Sequence, residues 1–327
     1  MTAPALTLGS GLIAFGPFLS LFTLIVYKKA QLVIVVTSAA FFFLLASVAA
    51  SFAWSIFHAI GLNGPLSAIV PGVIAQFMFR CGFVAMYHRV EQVIKTSLDK
   101  QHNEELKRIG EMESDGGTGS EHIIAVQERR KKEMDVWTET VKLRLELNDA
   151  ACGIAAGVGF GGMHTIMLYG TLLASETSNN VGVLYQDSCP GMPSLVLSAI
   201  YAFCFSILDI FWMLFTFFGM RRRLMFHRGE RAENEVLVVG SWLGNSRMGG
   251  NYSLMLSLLT HIGAATFTSA DFFNNGCSVS IPGVAGIVLL TAYMFWAGCG
   301  RIYMPPSQDL GTPSGMMSRP TGSFHEE

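Results

Sequence analysis

Seven apolar stretches, each long enough to cross the hydrocarbon core of a bilayer, constrain the fold of this chain more than any other feature. A transmembrane helix needs about 20 predominantly apolar residues. The stretches lie at residues 8–27, 31–60, 66–87, 150–174, 194–220, 252–270 and 281–303. Only 14% of the residues are charged, against about 25% in soluble domains. The sequence therefore predicts an all-α polytopic membrane protein with seven transmembrane helices.

The basic residues predict the orientation of these spans. Of the 22 Lys and Arg residues, 21 lie on one side, in connecting segments, in the C-terminal tail or at the last turn of the seventh span. The remaining one, Arg80, lies inside the third span. The N-terminal tail and the loops 61–65, 175–193 and 271–280 contain none. By the positive-inside rule, the N-terminus is lumenal or extracellular and the C-terminus is cytosolic. Since no basic n-region precedes the first span, we expect that span to act as an uncleaved anchor.

The distribution of charge divides the chain into four regions. Residues 88–149 contain 14 acidic and 11 basic residues, so we predict a cytosolic insertion of two solvated helices joined by a linker at 113–120. The segment 221–251 is interpreted as a plain connector. The predicted regions are spans one to three at 1–87, the helical insertion at 88–149, spans four to seven at 150–303, and a disordered cytosolic tail at 304–327.

A glycine-rich stretch in the fourth span, CGIAAGVGFGG at 152–162, satisfies two unrelated templates. Its G-x-G-x-x-G spacing fits a dinucleotide-binding turn, but that turn requires a preceding strand in a soluble crossover unit. Gly153, Gly157 and Gly161 instead fit the small-xxx-small pattern of membrane helices that pack closely. They form one narrow stripe, and His164 lies about 20° from Gly157 on the same face. We therefore predict a helix-packing or assembly surface.

Four ionisable residues lie well inside predicted spans, away from the span ends, where such groups are costly and face the protein interior by default. Counted along their helices from the cytosolic ends, they lie at depths of about 11 Å for Arg80, 21 Å for His164, 17 Å for Asp209 and 14 Å for His261. Asp209 and His261 therefore lie at nearly the same level in consecutive spans. We predict that they interact directly or through one water.

Two catalytic alternatives depend on the same residues. An intramembrane aspartyl protease needs two facing aspartates, but Asp149 and Asp271 lie at opposite borders of the membrane, so Asp209 stands alone. A zinc site built from His164, Asp209 and His261 has suitable ligand types, although the depth count separates His164 from the other two by about 4 to 7 Å. An autonomous metallohydrolase therefore remains an alternative, as does a seven-span receptor of the same topology.

The six cysteines lack the C-x-x-C spacing of zinc or redox motifs. Cys189 and Cys277 are the two that fall in predicted lumenal loops. Since the lumen is oxidising, a disulfide between them is permitted, and two free thiols remain the alternative.

Five segments outside the fourth span carry a recognisable pattern: GLIAFGPFLSLF (11–22), AAFFFLLASVAASFAW (39–54), AQFMFRCGFVAMYH (75–88), LDIFWMLFTFFGMRRR (208–223) and LLTHIGAATFTSADFFN (258–274). Together with the glycines of the fourth span, they resemble one known family, the anterior-pharynx-defective (Aph) subunit of γ-secretase. The similarity is strongest in the fourth span, where the three glycines fall on the family's tandem GxxxGxxxG. It extends over the other spans except the seventh, and departs from the family at Asp209, which stands where a histidine is expected.

The resemblance implies a non-catalytic scaffold that assembles and stabilises an intramembrane aspartyl protease. Its implied partners are presenilin, which would supply the paired catalytic aspartates, together with nicastrin, the presenilin enhancer and the lipid bilayer. It implies no cofactor, no metal and no nucleic acid. The implied location is the endoplasmic reticulum, Golgi, endosomes and plasma membrane.

Overall fold

A computed structural model describes residues 4–61, 64–114, 149–178, 184–228 and 247–299. Over these residues it contains seven helical segments that are long and apolar enough to cross a membrane. The predicted number of spans is therefore confirmed. The spans, numbered here in chain order, are Pro4–Val26, Ala30–Ala59, Ile69–Ile94, Asp149–Thr177, Ser194–Leu224, Met248–Phe272 and Cys277–Gly298.

The individual helices extend past several of these limits, and short irregular turns complete some spans. The α-helices are Pro4–Leu21, Ala30–Ala59, Pro65–Ser114, Asp149–Thr165, Thr171–Ser178, Ser194–Arg228, Arg247–Thr268 and Cys277–Cys299. The π-helical turns Phe22–Val26 and Ile166–Gly170 extend spans 1 and 4, and a 3₁₀ turn, Ser269–Phe272, ends span 6. Strands β1, Tyr185–Gln186, and β2, Cys189–Pro193, form an antiparallel ribbon between spans 4 and 5.

Two predicted segments differ from the structure in extent. The helix of span 3 continues without a break past residue 87 to Ser114, so the first part of the predicted insertion belongs to the same helix. The predicted connector 221–251 is helical at both ends, because span 5 continues to Arg228 and the next helix begins at Arg247. Residues 115–148 and the predicted tail at 304–327 lie outside the described residues.

Spans 4 and 5 form the centre of the bundle. Span 4 packs between spans 2 and 5, and span 5 also contacts spans 1, 3, 6 and 7. Of the 18 consecutive residues that make up the apolar part of each span, 61% are buried in spans 4 and 5, against 17% in spans 1 and 7. The outer spans expose large apolar side chains, including Leu24, Phe52, Leu289 and Trp296. Apolar surface of this kind is compatible with lipid or with other membrane helices.

The two ends of the bundle differ in chemistry. At the basic end, where span 5 terminates, Arg221 reaches the carboxylates of Glu91 and Asp149. At the opposite end, Cys189 of β2 and Cys277 at the start of span 7 form a disulfide. We call this the disulfide end. Backbone hydrogen bonds add to the covalent link, because the Cys277 amide donates to the Ser188 carbonyl at 3.0 Å.

Candidate functional site in the membrane interior

The glycine stripe of span 4 packs against span 5 of the same chain. A Cβ atom added to Gly157 would lie 2.5 Å from the Cα of Ile210, and one added to Gly161 would lie 2.9 Å from the Ser206 carbonyl oxygen. At Gly153 the nearest atom would be Leu214 Cδ2, at 3.0 Å. The contacts move back along span 5 as they move forward along span 4, so the two helices are antiparallel. Glycine is needed here because any side chain would push the two backbones apart.

Span 4 is closely packed on a second face as well. A Cβ atom on Gly159 would collide with the Val36 carbonyl of span 2, and one on Gly162 would lie 2.6 Å from the Phe18 ring of span 1. The glycines of this stretch therefore let span 4 pack within the chain, in contact with spans 1, 2 and 5. Gly153, Gly157 and Gly161 are buried within the chain, so the stripe is not an exposed surface.

Four buried ionisable side chains, one from each of spans 3, 4, 5 and 6, meet beside this packing. Arg80 Nη2 donates to Asp209 Oδ1 in an ion pair whose two side chains are both 0% exposed. The other carboxylate oxygen, Asp209 Oδ2, lies 2.9 Å from His164 Nδ1. Arg80 Nη1 lies 3.2 Å from His261 Nδ1. We call Arg80, His164, Asp209 and His261 the intramembrane network.

The donors and acceptors in this network follow from the chemistry of the side chains. An ionised carboxylate only accepts hydrogen bonds, so His164 carries its proton on Nδ1 and donates to Asp209. Arginine only donates, so His261 Nδ1 accepts from Arg80 and carries no proton on that nitrogen. Within the network, the Arg80 guanidinium is thus balanced by the Asp209 carboxylate. Asp209 orients the His164 ring, and Arg80 orients the His261 ring. Such an arrangement locks four helices together in a medium where an unpaired charge is very costly.

Aromatic rings enclose the network. Trp212 stacks on His261 with ring centroids 4.2 Å apart, and its face lies 4.8 Å from the Arg80 guanidinium carbon. Phe205 and Phe43 flank His164 at 4.8 and 5.3 Å. Trp212 offers its electron-rich face to the Arg80 cation, as does Phe160, whose centroid lies 5.3 Å from the guanidinium carbon. The result is an ion pair whose two side chains are fully buried.

The structure adds detail to two expectations about these residues. Arg80 hydrogen-bonds to both Asp209 and His261, between which we predicted an interaction directly or through one water. His164 is a direct partner of Asp209, although the depth count separated them by about 4 Å. A Cβ atom leans toward the N-terminus of its helix. Because spans 4 and 5 are antiparallel, the side chains of His164 and Asp209 lean toward each other and close that gap.

The catalytic alternatives are not favoured by this geometry. In the alternative zinc site, the positively charged Arg80 already binds Asp209 and His261, and His164 binds Asp209. Among the described aspartates, Asp149 pairs with Arg221 at the basic end. Asp271 accepts a hydrogen bond from Tyr201 near the disulfide end. Neither of these two aspartates faces Asp209.

Several residues of the network's surroundings were not predicted as site residues. Gln76 Oε1 accepts a hydrogen bond from Arg80 Nη2 at 3.2 Å, one turn before it on span 3. The Trp212 indole donates to Thr260 Oγ1 at 2.8 Å, linking spans 5 and 6. Gly219 and Gly250 also let these two spans approach, since a Cβ on either would lie 2.8 Å from the other's carbonyl oxygen. A polar or small residue four positions from a buried ionisable group is a signal that could have indicated Gln76.

Comparison with known proteins supports one family across nearly the whole chain. The family model described as "Aph-1 protein" matches residues 5–301. A curated relative from Arabidopsis thaliana, described as "Gamma-secretase subunit APH1-like", is 22% identical over 298 residues, which cover 90% of this chain and 91% of the relative. The match includes all seven spans and all four members of the intramembrane network. This chain is a multi-pass membrane protein that belongs to the Aph-1 family of γ-secretase subunits.

Proposed function

We propose that this chain is a non-catalytic scaffold subunit of a γ-secretase-type intramembrane protease, required for assembly and stability of the complex. The observation that carries the proposal is the intramembrane network, in which one Arg, one Asp and two His bind one another across four spans. Polar side chains that bind one another between helices support a structural role rather than a catalytic one. The family match supports the same assignment.

The proposed partners are presenilin, nicastrin and the presenilin enhancer, with presenilin supplying the catalytic aspartates. The apolar side chains exposed on the outer spans, such as Phe52 and Leu289, support contact with partner helices or lipid. The glycine stripe then contributes to assembly indirectly, by fixing spans 4 and 5 within the scaffold.

The proposed orientation, with a lumenal N-terminus and a cytosolic C-terminus, rests on the distribution of Lys and Arg. The endoplasmic reticulum, Golgi, endosomes and plasma membrane are the proposed locations.

Purification of the tagged chain from its native membrane tests this proposal. We expect a polytopic two-aspartate protease to co-purify with it in a stable complex. Purification of the chain alone, with hydrolase activity of its own, would instead support an autonomous seven-span enzyme. A chain that binds a signalling ligand without protease subunits would support a receptor.

A second measurement separates a scaffold from a chemical participant. In His261→Gln the amide oxygen can still accept a hydrogen bond from Arg80. We therefore expect a fraction of the chains to assemble into the complex. The proteolytic rate per assembled complex should then equal that of the parent. Exchange of the exposed Glu104 for Gln is the matched control for assembly. Normal assembly of His261→Gln with loss of proteolysis per complex would refute the scaffold role.

A further inference from the structure

A second cluster of ionisable groups lies at the basic end, apart from the intramembrane network. His88 and Glu91 come from the helix of span 3, and Asp149 is the first residue of span 4. One ligand atom from each of the three residues can be chosen so that all lie within 4.8 Å of one another. Residues at i and i+3 share a helix face, so His88 and Glu91 approach Asp149 together.

His88 is the unusual member of this cluster. Its side chain is 1% exposed, and neither ring nitrogen has a hydrogen-bond partner in the structure. Nδ1 is directed toward the cluster but lies 3.5 Å from Glu91 Oε2, which is too long for a hydrogen bond. The ring lies among aromatic neighbours, with the Tyr87 and Phe217 centroids 5.6 and 5.8 Å away. A buried polar group of this kind requires a partner.

The two carboxylates are held by Arg221. Its Nε and Nη2 donate to the two oxygens of Asp149 at 2.7 and 2.5 Å, and Nη2 also lies 2.6 Å from Glu91 Oε2. All three side chains remain partly exposed, at 25% for Arg221, 23% for Glu91 and 31% for Asp149. The long Arg221 side chain therefore has a route to solvent, whereas His88 is fixed within the bundle.

We propose that His88, Glu91 and Asp149 form a binding site for a divalent cation, with Arg221 as the counter-charge that the ion displaces. One imidazole nitrogen and two carboxylate oxygens suit Zn²⁺, which binds such ligands at about 2.0–2.2 Å. In the tetrahedral geometry of zinc, ligand atoms at about 2.1 Å from the ion lie about 3.4 Å apart. The ligand atoms of this cluster lie within 4.8 Å of one another, so the widest pair must close by up to about 1.4 Å. The ion supplies the partner that His88 lacks, and it ties span 3 to span 4. This inference is independent of the proposed scaffold function.

The test uses the full-length chain, stripped with a chelator, and Zn²⁺ alone as the probe. Affinity is measured by competition with a chromophoric chelator. We expect one Zn²⁺ per chain to be bound at this site, and His88→Gln and Asp149→Asn each to weaken that binding by about tenfold or more. His58→Gln and Glu104→Gln, which alter exposed side chains elsewhere, are matched controls and should leave the affinity unchanged.

Arg221→Gln distinguishes a metal site from a structural ion pair. Arg221→Gln and Asp149→Asn both break the same ion pair, so a purely structural role predicts similar loss of thermal stability and no effect on Zn²⁺ binding. The proposal predicts opposite effects on affinity, because Arg221→Gln removes the competing charge and tightens binding several-fold. Zn²⁺ binding that is insensitive to His88→Gln, or that changes in the same direction in Arg221→Gln and Asp149→Asn, would overturn it.

Discussion

Exchange of Gly157 for Ala should destabilise this chain, although the same exchange usually stabilises a helix. The added Cβ would lie 2.5 Å from Ile210 Cα, whereas carbon atoms pack at about 3.5–4.0 Å. The backbones of spans 4 and 5 must therefore separate by about 1 Å or more at their closest approach. Overpacking of this kind costs about 1–3 kcal/mol.

A matched glycine elsewhere isolates that packing cost. Gly82 lies within the helix of span 3, and a Cβ added there would meet nothing within 4 Å. Gly82→Ala therefore gains the helix preference of Ala over Gly, up to about 1 kcal/mol, without a collision. The difference in unfolding free energy between Gly157→Ala and Gly82→Ala therefore measures the cost of overpacking spans 4 and 5. This difference should be about 1–3 kcal/mol.

Thermal unfolding of the purified chain in one detergent is the assay. We expect the Tm of Gly157→Ala to fall by several degrees and that of Gly82→Ala to stay level or rise. Gly157→Leu should be far more disruptive than Leu168→Ile, a conservative exchange on the same face of span 4. Equal Tm values for the two alanine variants would refute the close packing that the structure assigns to the glycine stripe.

Three further changes probe other parts of the bundle. Asp209→Ala leaves Arg80 buried without a counter-charge and should lower the free energy of unfolding by about 3–5 kcal/mol. The yield of folded chain from membranes and its Tm measure this loss, and parental values of both would contradict the ion pair. Trp212→Phe keeps an aromatic ring but removes the indole donor to span 6, so thermal unfolding should show a loss of about 0.5–1.5 kcal/mol. Exchange of Cys189 and Cys277 for Ser should cost about 2–4 kcal/mol, and reducing agent should lower the Tm of the parent but not of the double variant. A parent unaffected by reduction would argue against the covalent link.

The sequence determined the features that depend on local composition and periodicity. Apolar segments of about 20 residues must cross the bilayer as helices, which predicts the seven spans without reference to their contacts. Glycines spaced by four predict a narrow face for close packing, and Gly153, Gly157 and Gly161 do pack closely. The sequence also identified all four members of the intramembrane network, because ionisable residues within spans are rare and expensive.

Only the tertiary structure decided which of these features meet. Periodicity gives the angle of a residue around its helix but not the helix that it faces, so the stripe predicted a contact without identifying span 5. Distance along a helix axis gives the depth of a Cα atom but not the direction of its side chain. The lean of side chains in antiparallel helices brings His164 to Asp209, and the length of Arg80 lets it join Asp209 to His261. Pairing in the membrane interior is therefore set by the packing of the helices, since a buried charge must bind the partner that the bundle places beside it.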